Sequence, residues 1–140
     1  NTMSSNECVI GKFVAGEIPA ACIYEDDAVF AFLDIGPVNK GHALVIPKAH
    51  YEKVDQCPAH ILSRMAAQMG RIAKAVVGAS ACEGYNVLCN NGRVAGQVVD
   101  HVHFHIIPRF EGDACLKGWP AKTYADGEMD EMLRAVLKKL

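Results

Sequence analysis

The segment Asp100–Arg109, DHVHFHIIPR, places three of the chain's six histidines at alternate positions. Side chains alternate across a β-strand, so a strand here carries His101, His103 and His105 on one face and Val102, Phe104 and Ile106 on the other. Neighbouring imidazoles on that face stand roughly 7 Å apart at Cα, within reach of one small ligand. The apolar face needs a covering layer. The segment therefore predicts a strand with a core on one side and chemistry on the other.

The rest of the chain supplies that layer and further strands. ACIYE and AVFAFLD read as two strands joined at Asp26-Asp27, in the manner of a tight hairpin. HALVIP is a third strand stopped by Pro47, after the loop GPVNKG. Ile61, Met65, Met69, Ile72 and Val76 recur at helical spacing and predict one long amphipathic helix. GYNVLCN and HVHFHIIP are two more strands, parted by the loop NGRVAGQVVD. A short helix over CVIGKFVAG opens the chain, and Met129, Met132, Leu133, Val136, Leu137 and Leu140 predict a closing one. Paired strands interrupted by a helix give an α+β domain with a five-stranded antiparallel sheet. Residues 1–7 read as a disordered lead-in and residues 8–140 as a single domain.

Composition narrows the function. A chain of 140 residues with 51% hydrophobic and 21% charged residues has the makeup of a globular domain, and its net charge of −2 leaves no basic patch for nucleic acid. No apolar run reaches membrane-span length, and no basic-then-apolar leader opens the sequence. Six cysteines without a C-x-x-C pair fit a reduced, cytoplasmic or nuclear setting.

Two chemistries suit three aligned imidazoles. One is a metal site, because H-x-H on a strand can place two nitrogens on zinc. No acid lies within the strand to complete it: Ile107 follows the triad, and Glu111 comes after Pro108. The other is covalent catalysis, in which a neutral imidazole nitrogen attacks phosphorus and its neighbours hold the phosphate oxygens. The preceding loop favours phosphate, since Gly92 and Gly96 let backbone amides approach an anion closely.

H-x-H-x-H-x-x with apolar residues at each x resembles the signature of the histidine triad superfamily of nucleotidyl hydrolases and transferases. YEDDAVFAFLDIGPVNKGHALVIPKAHYEKV, NNGRVAGQVVDHVHFHIIPR and GWP at Gly118–Pro120 are similar to its Hint-type branch along nearly the whole chain. The resemblance implies that His103 is the nucleophile taking a purine nucleoside monophosphate such as AMP or GMP. His105 would contact the phosphate, His101 would support the site, and His42 would close the cluster. Asp34 would accept the ribose hydroxyls. Asn90 and the loop residues Gly96, Gln97 and Val98 would lie along the nucleotide, and Phe32, Ile35, Val9 and Ile10 would wall the base. The resemblance also implies a homodimer joining two sheets edge to edge.

Two departures from that pattern stand out. Zinc-bearing relatives carry C-x-x-C near the start, whereas Cys8 is followed at that spacing by Gly11. Cys8, His50 and His101 are then one ligand short, and no cofactor is expected. Relatives usually carry Ser or Thr three residues before the first triad histidine, and this chain has Val98. The reading favoured is a nucleoside phosphoramidase. A dinucleoside polyphosphate hydrolase, with Lys40 and Lys48 as the nearby cations, and a nucleotide-binding regulatory protein remain its alternatives.

Overall fold

The computed structural model describes residues 9–140, without the side chains of Val9, Ile10 and Phe13. The expectations for residues 1–7, for Cys8 as a ligand and for Val9 and Ile10 as base-pocket walls therefore lie outside the described residues and side chains. The elements run α1 (Val9–Val14), β1 (Cys22–Glu25), β2 (Val29–Leu33), β3 (Ala43–Pro47), α2 (Ala59–Ser80), β4 (Gly84–Leu88), β5 (Phe104–Arg109) and α3 (Glu128–Lys139). The five strands form one antiparallel sheet in the order β1-β2-β3-β5-β4. This is the expected α+β architecture.

Asp26 makes the β1–β2 turn. Its Oδ1 accepts the amides of Ala28 and Val29 at 2.8 and 2.7 Å, and its Oδ2 accepts the Tyr24 hydroxyl at 2.7 Å. A short carboxylate that captures the amides two and three residues ahead is the usual chemistry of such a turn.

Residue parity then divides the sheet into two faces. Val29, Ala31, Ala43, Val45 and Ile106 turn to one side and meet Met65, Ile72, Ala73 and Val76 of α2. Three alanines in this layer let the helix lie close to the sheet, and the core forms there. Phe30, Phe32, Leu44 and Ile46 turn to the other side, where Val14, Ala20 and Val99 pack against them. Among the described residues no helix of α2's length lies on this second face, which is where the candidate site is built.

The histidine strand starts later than its sequence pattern implies. Regular pairing begins at Phe104, not at His101. The His101 amide bonds back to Val99 O at 2.9 Å, and the Val102 amide is taken by Tyr51 O at 2.7 Å. The loop after β3 thus captures the donor that the sheet ladder would have used. Val102 is still fully buried, as its place on the apolar side requires.

Candidate active site

Register brings the site residues together. Leu44 in β3 pairs with Phe32 in β2 on one side and with His105 in β5 on the other. Phe32, Leu44 and His105 therefore form one row on the second face. One step beyond β2, the Asp34 amide bonds to His42 O at 2.9 Å, which continues the pairing and sets Asp34 beside His42. A cleft of about 380 Å³ opens over this row, lined by Phe32, Asp34, Ile35, Leu44, Asn90, Gly96, Val98, Val99, His103 and His105.

Backbone groups fix which nitrogen of each imidazole carries the proton. His103 Nδ1 lies 2.7 Å from His101 O, so it donates, and Nε2 is left with a lone pair. His42 Nδ1 accepts the Val38 amide at 3.0 Å, so a neutral His42 carries its proton on Nε2. That proton points to His105 Nδ1 at 2.9 Å, which places the remaining proton of His105 on Nε2. His101 Nε2 donates to Pro47 O at 2.8 Å, and its Nδ1 faces His50 Nδ1 at 3.1 Å. The rings of His103 and His105 stand 4.9 Å apart between centroids.

Burial holds most of these rings neutral. Desolvation pushes His101 and His105 down to about 4, against a smaller opposing effect of Pro47 O on the first and Asp34 on the second. It also lowers His42, and the nearby Asp34 carboxylate only partly offsets this. Beside His103 the site therefore presents a neutral N–H donor, His105 Nε2. A buried imidazole gives up its charge before it gives up its hydrogen bonds.

The structure sets several of the expected residues behind the cleft and not in its wall. His101 is fully buried and outside the cleft, with its ring spent on Pro47 O and His50; its contribution to His103 is a backbone oxygen. His42 stands behind His105 rather than in the cleft wall. Gln97 is 2% exposed and braces the loop from inside: it accepts the Gly92 amide and donates to Glu52 O and Val99 O. It is thus a loop brace and not a cleft-lining residue, because all its polar atoms are already committed. Phe32, Asp34, Ile35, Asn90, Gly96 and Val98 all line the cleft.

Asp34 has two tasks. Its Oδ1 accepts the Gly36 amide at 2.9 Å and closes the turn before Pro37, while Oδ2 lies 3.8 Å from His42 Nε2. Gly96 has φ +98°, and a Cβ there would meet Asn90 Nδ2 at 3.3 Å. Glycine is needed both for the backbone angle and for the approach to Asn90.

Sequence reasoning missed Leu44, Val99 and the main-chain groups of Val38 and Pro47. Leu44 was legible as the residue two after His42 on the same strand face. The main-chain groups had no sequence signal.

The same geometry bears on metal binding. Among the described residues, the donor atoms of Asp34, His42 and His105 converge within 4.8 Å of one another. The Val38 amide, however, occupies the Nδ1 lone pair of His42, and a metal on Nε2 would leave an N–H on each side of that hydrogen bond. The cluster is built to hold a proton, and it does not fit a metal. His50 and His101 offer the two Nδ1 atoms of the zinc set considered from sequence, whose Cys8 lies outside the described residues.

A protein-family model described as the HIT domain matches residues 15–112, which take in the sheet, α2 and all three triad histidines. The chain belongs to the HIT family. Among relatives of this HIT protein, an uncharacterised HIT-like protein of Methanocaldococcus jannaschii is 46% identical over 129 residues, covering 92% of this chain and 98% of its own. The adenosine 5′-monophosphoramidase HNT1 of Saccharomyces cerevisiae is 40% identical over 134 residues, 95% of this chain and 82% of its own. A solved HIT family protein of Bacillus anthracis superposes with a TM-score of 0.91 at 32% identity, over 99% of both chains. An alignment of that extent includes α3 as well as the domain.

Proposed function

We propose that this HIT protein is a hydrolase that removes a purine nucleoside 5′-monophosphate from an amine leaving group through a nucleotidyl adduct on His103. The observation that carries the reading is the tautomer of His103: with Nδ1–H tied to His101 O, its only lone-pair nitrogen, Nε2, belongs to a ring lining the cleft. The name of the yeast relative supports the substrate class.

The reaction runs in two displacements. His103 Nε2 forms a bond to phosphorus as the phosphorus–nitrogen bond breaks, and the amine departs with a proton drawn from solvent, which the water of the second step gives back. Water then forms a phosphorus–oxygen bond, the bond to His103 breaks, and the nucleoside monophosphate leaves. His105 Nε2–H donates to a phosphate oxygen where charge builds in each transition state. His42 keeps that donor aimed by occupying His105 Nδ1. Asp34 takes the ribose hydroxyls with Oδ2, and Phe32 and Ile35 flank the base. No metal is needed in either step.

A polyphosphate leaving group has less support. No Lys or Arg lines the cleft among the described residues, and Lys48 is held by Glu25 at 2.6 Å. We also place this protein in the cytoplasm as a homodimer with β4 at the paired edge. Tyr85 and Val87 of that strand are 48% and 44% exposed, and edge pairing would cover them. No described helix is long and apolar enough to cross a membrane.

The test is a quenched reaction with adenosine 5′-phosphoramidate, read by mass spectrometry and run beside diadenosine polyphosphates after exhaustive chelation. An adenylyl group on His103 and faster turnover of the phosphoramidate are expected. An adduct elsewhere, loss of activity on chelation, or preference for the polyphosphate would overturn the reading.

A further inference from the structure

A side chain ties the loop between β2 and β3 to the far end of β5. Regular pairing of β3 with β5 ends at Ala43 and Ile106. Past that point Asn39 Nδ2 donates to Pro108 O and to Asp113 Oδ2, both at 2.9 Å. Both partners can only accept, so the amide faces them with its two hydrogens. Asp113 is in turn held by Arg109, through Nε to Oδ2 and Nη2 to Oδ1, each at 2.8 Å. The amides of Phe110 and Cys115 add bonds of 3.0 and 3.1 Å to the same carboxylate. These donors, Arg109 first, hold the Asp113 carboxyl far below the usual carboxylate range. Ala114 and Leu116, with φ of 58° and 38°, keep a left-handed backbone that such a framework must enforce. None of these residues lines the cleft.

The same loop sets the proton of His42. The Val38 amide donates to His42 Nδ1 at 3.0 Å, and the His42 amide returns a 3.1 Å bond to Asn39 O. Asn39 thus sits among the groups that wrap His42, whose Nε2–H faces His105 Nδ1 at 2.9 Å. We propose that Asn39, Asp113 and Arg109 are positioning residues for the phosphate donor. Their clamp holds the Val38 amide on His42 Nδ1 and so keeps both His42 and His105 protonated on Nε2. His105 is the phosphate donor on the catalytic reading above, and that role rests on that reading. Without the clamp the Val38 amide moves off, and His42 can carry its proton on Nδ1. His42 Nε2 then accepts from His105 Nδ1, and His105 Nε2 is left with a lone pair. The number of protons is unchanged, but a donor aimed at phosphate has become an acceptor.

Long-range proton–nitrogen NMR spectra of the imidazoles read the two tautomers directly, and turnover of adenosine 5′-phosphoramidate reads their consequence. The wild type should show His42 and His105 protonated on Nε2. Asn39→Ala should move both rings toward the Nδ1–H form. Its kcat should fall about tenfold, short of the roughly 10²–10³ lost with an outright donor, while AMP affinity stays within about twofold. Asp113→Ala should do the same. The double variant should lose no more than either alone, because the two side chains act through one bond. Ile72→Ala is the control for lost stability: it opens the core between α2 and the sheet, and should change neither the tautomers nor the kcat of the folded fraction. Asn39→Ala keeps a folded body to measure even if Asp113→Ala loosens residues 110–116. Rings that keep Nε2–H in Asn39→Ala, losses that add in the double variant, or an equal response in Ile72→Ala would overturn the clamp. Tautomers that shift as expected in a protein whose wild type turns over no phosphoramidate would count against the catalytic reading and leave the clamp standing.

Discussion

His103 Nδ1 donates to the backbone oxygen of His101 over 2.7 Å, so the tautomer of the proposed nucleophile is set by main chain and not by the neighbouring ring. Replacing His101 by Ala therefore keeps the bond that orients His103. It removes the Nε2–H bond to Pro47 O and leaves a cavity at a fully buried position. The expected cost is about 2–4 kcal/mol of stability. Turnover of the folded fraction should fall far less than in His103→Ala, which should still bind nucleotide. Urea melts beside kinetics separate the two, and equal losses of turnover would put the His101 ring in the chemistry.

Stability should fall in mild acid. Burial pushes His101 and His105 down to about 4, and an unfolded histidine titrates near 6.5. Between those values the unfolded chain binds more protons than the folded one, so the folded state loses ground as pH drops from about 6.5 and levels off below 4. Urea midpoints should be flat above pH 7.5 and decline through pH 6 and 5. A midpoint constant down to pH 5 would show that the folded rings protonate freely.

Asp34 separates into two oxygens. Asp34→Ala should weaken ribonucleotides by about 1.5–3 kcal/mol and leave 2′,3′-dideoxy analogues nearly unaffected, because only the former lose charge-assisted bonds. Asp34→Asn can keep the Gly36 turn bond made by Oδ1. Titration calorimetry with both nucleotide types decides it: equal losses would remove Asp34 from the ribose.

Gly96→Ala should loosen the cleft without unfolding the body. The new methyl sits on a backbone at φ +98° and crowds Asn90 Nδ2 at 3.3 Å. Strain of about 1–3 kcal/mol falls on an exposed loop, so nucleotide affinity should drop several-fold while the melting temperature moves little. Unchanged affinity would mean that Asn90 does not depend on this approach.

Val98 is 75% exposed on the cleft wall, so Val98→Ser costs little burial. An amine leaves phosphorus only with a proton, and a hydroxyl at the wall can orient it. General acid assistance is commonly worth 10²–10⁴, and a single orienting hydroxyl about tenfold of that. Turnover of alkylamine phosphoramidates should rise by about this factor, and esters with good leaving groups should gain less. An equal change for both would leave Val98 as wall alone.

The sequence by itself determined the strands, the long helix and the closing helix. It also determined which residues are candidates for the chemistry, because period two and period 3.6 are local properties that neighbouring residues write directly. His103, His105, Asp34 and Gly96 were legible as types at spacings. Only the tertiary structure decided what each imidazole does. The proton of His105 is placed by His42, 63 residues away in the chain, and the ring of His101 is held by Pro47 O, 54 residues away. Gln97 became a brace and His101 a buried support because backbone groups from other loops reached them first. A donor or acceptor of the main chain has the same chemistry at every residue. Its partner is therefore written in the path of the chain, not in the letters.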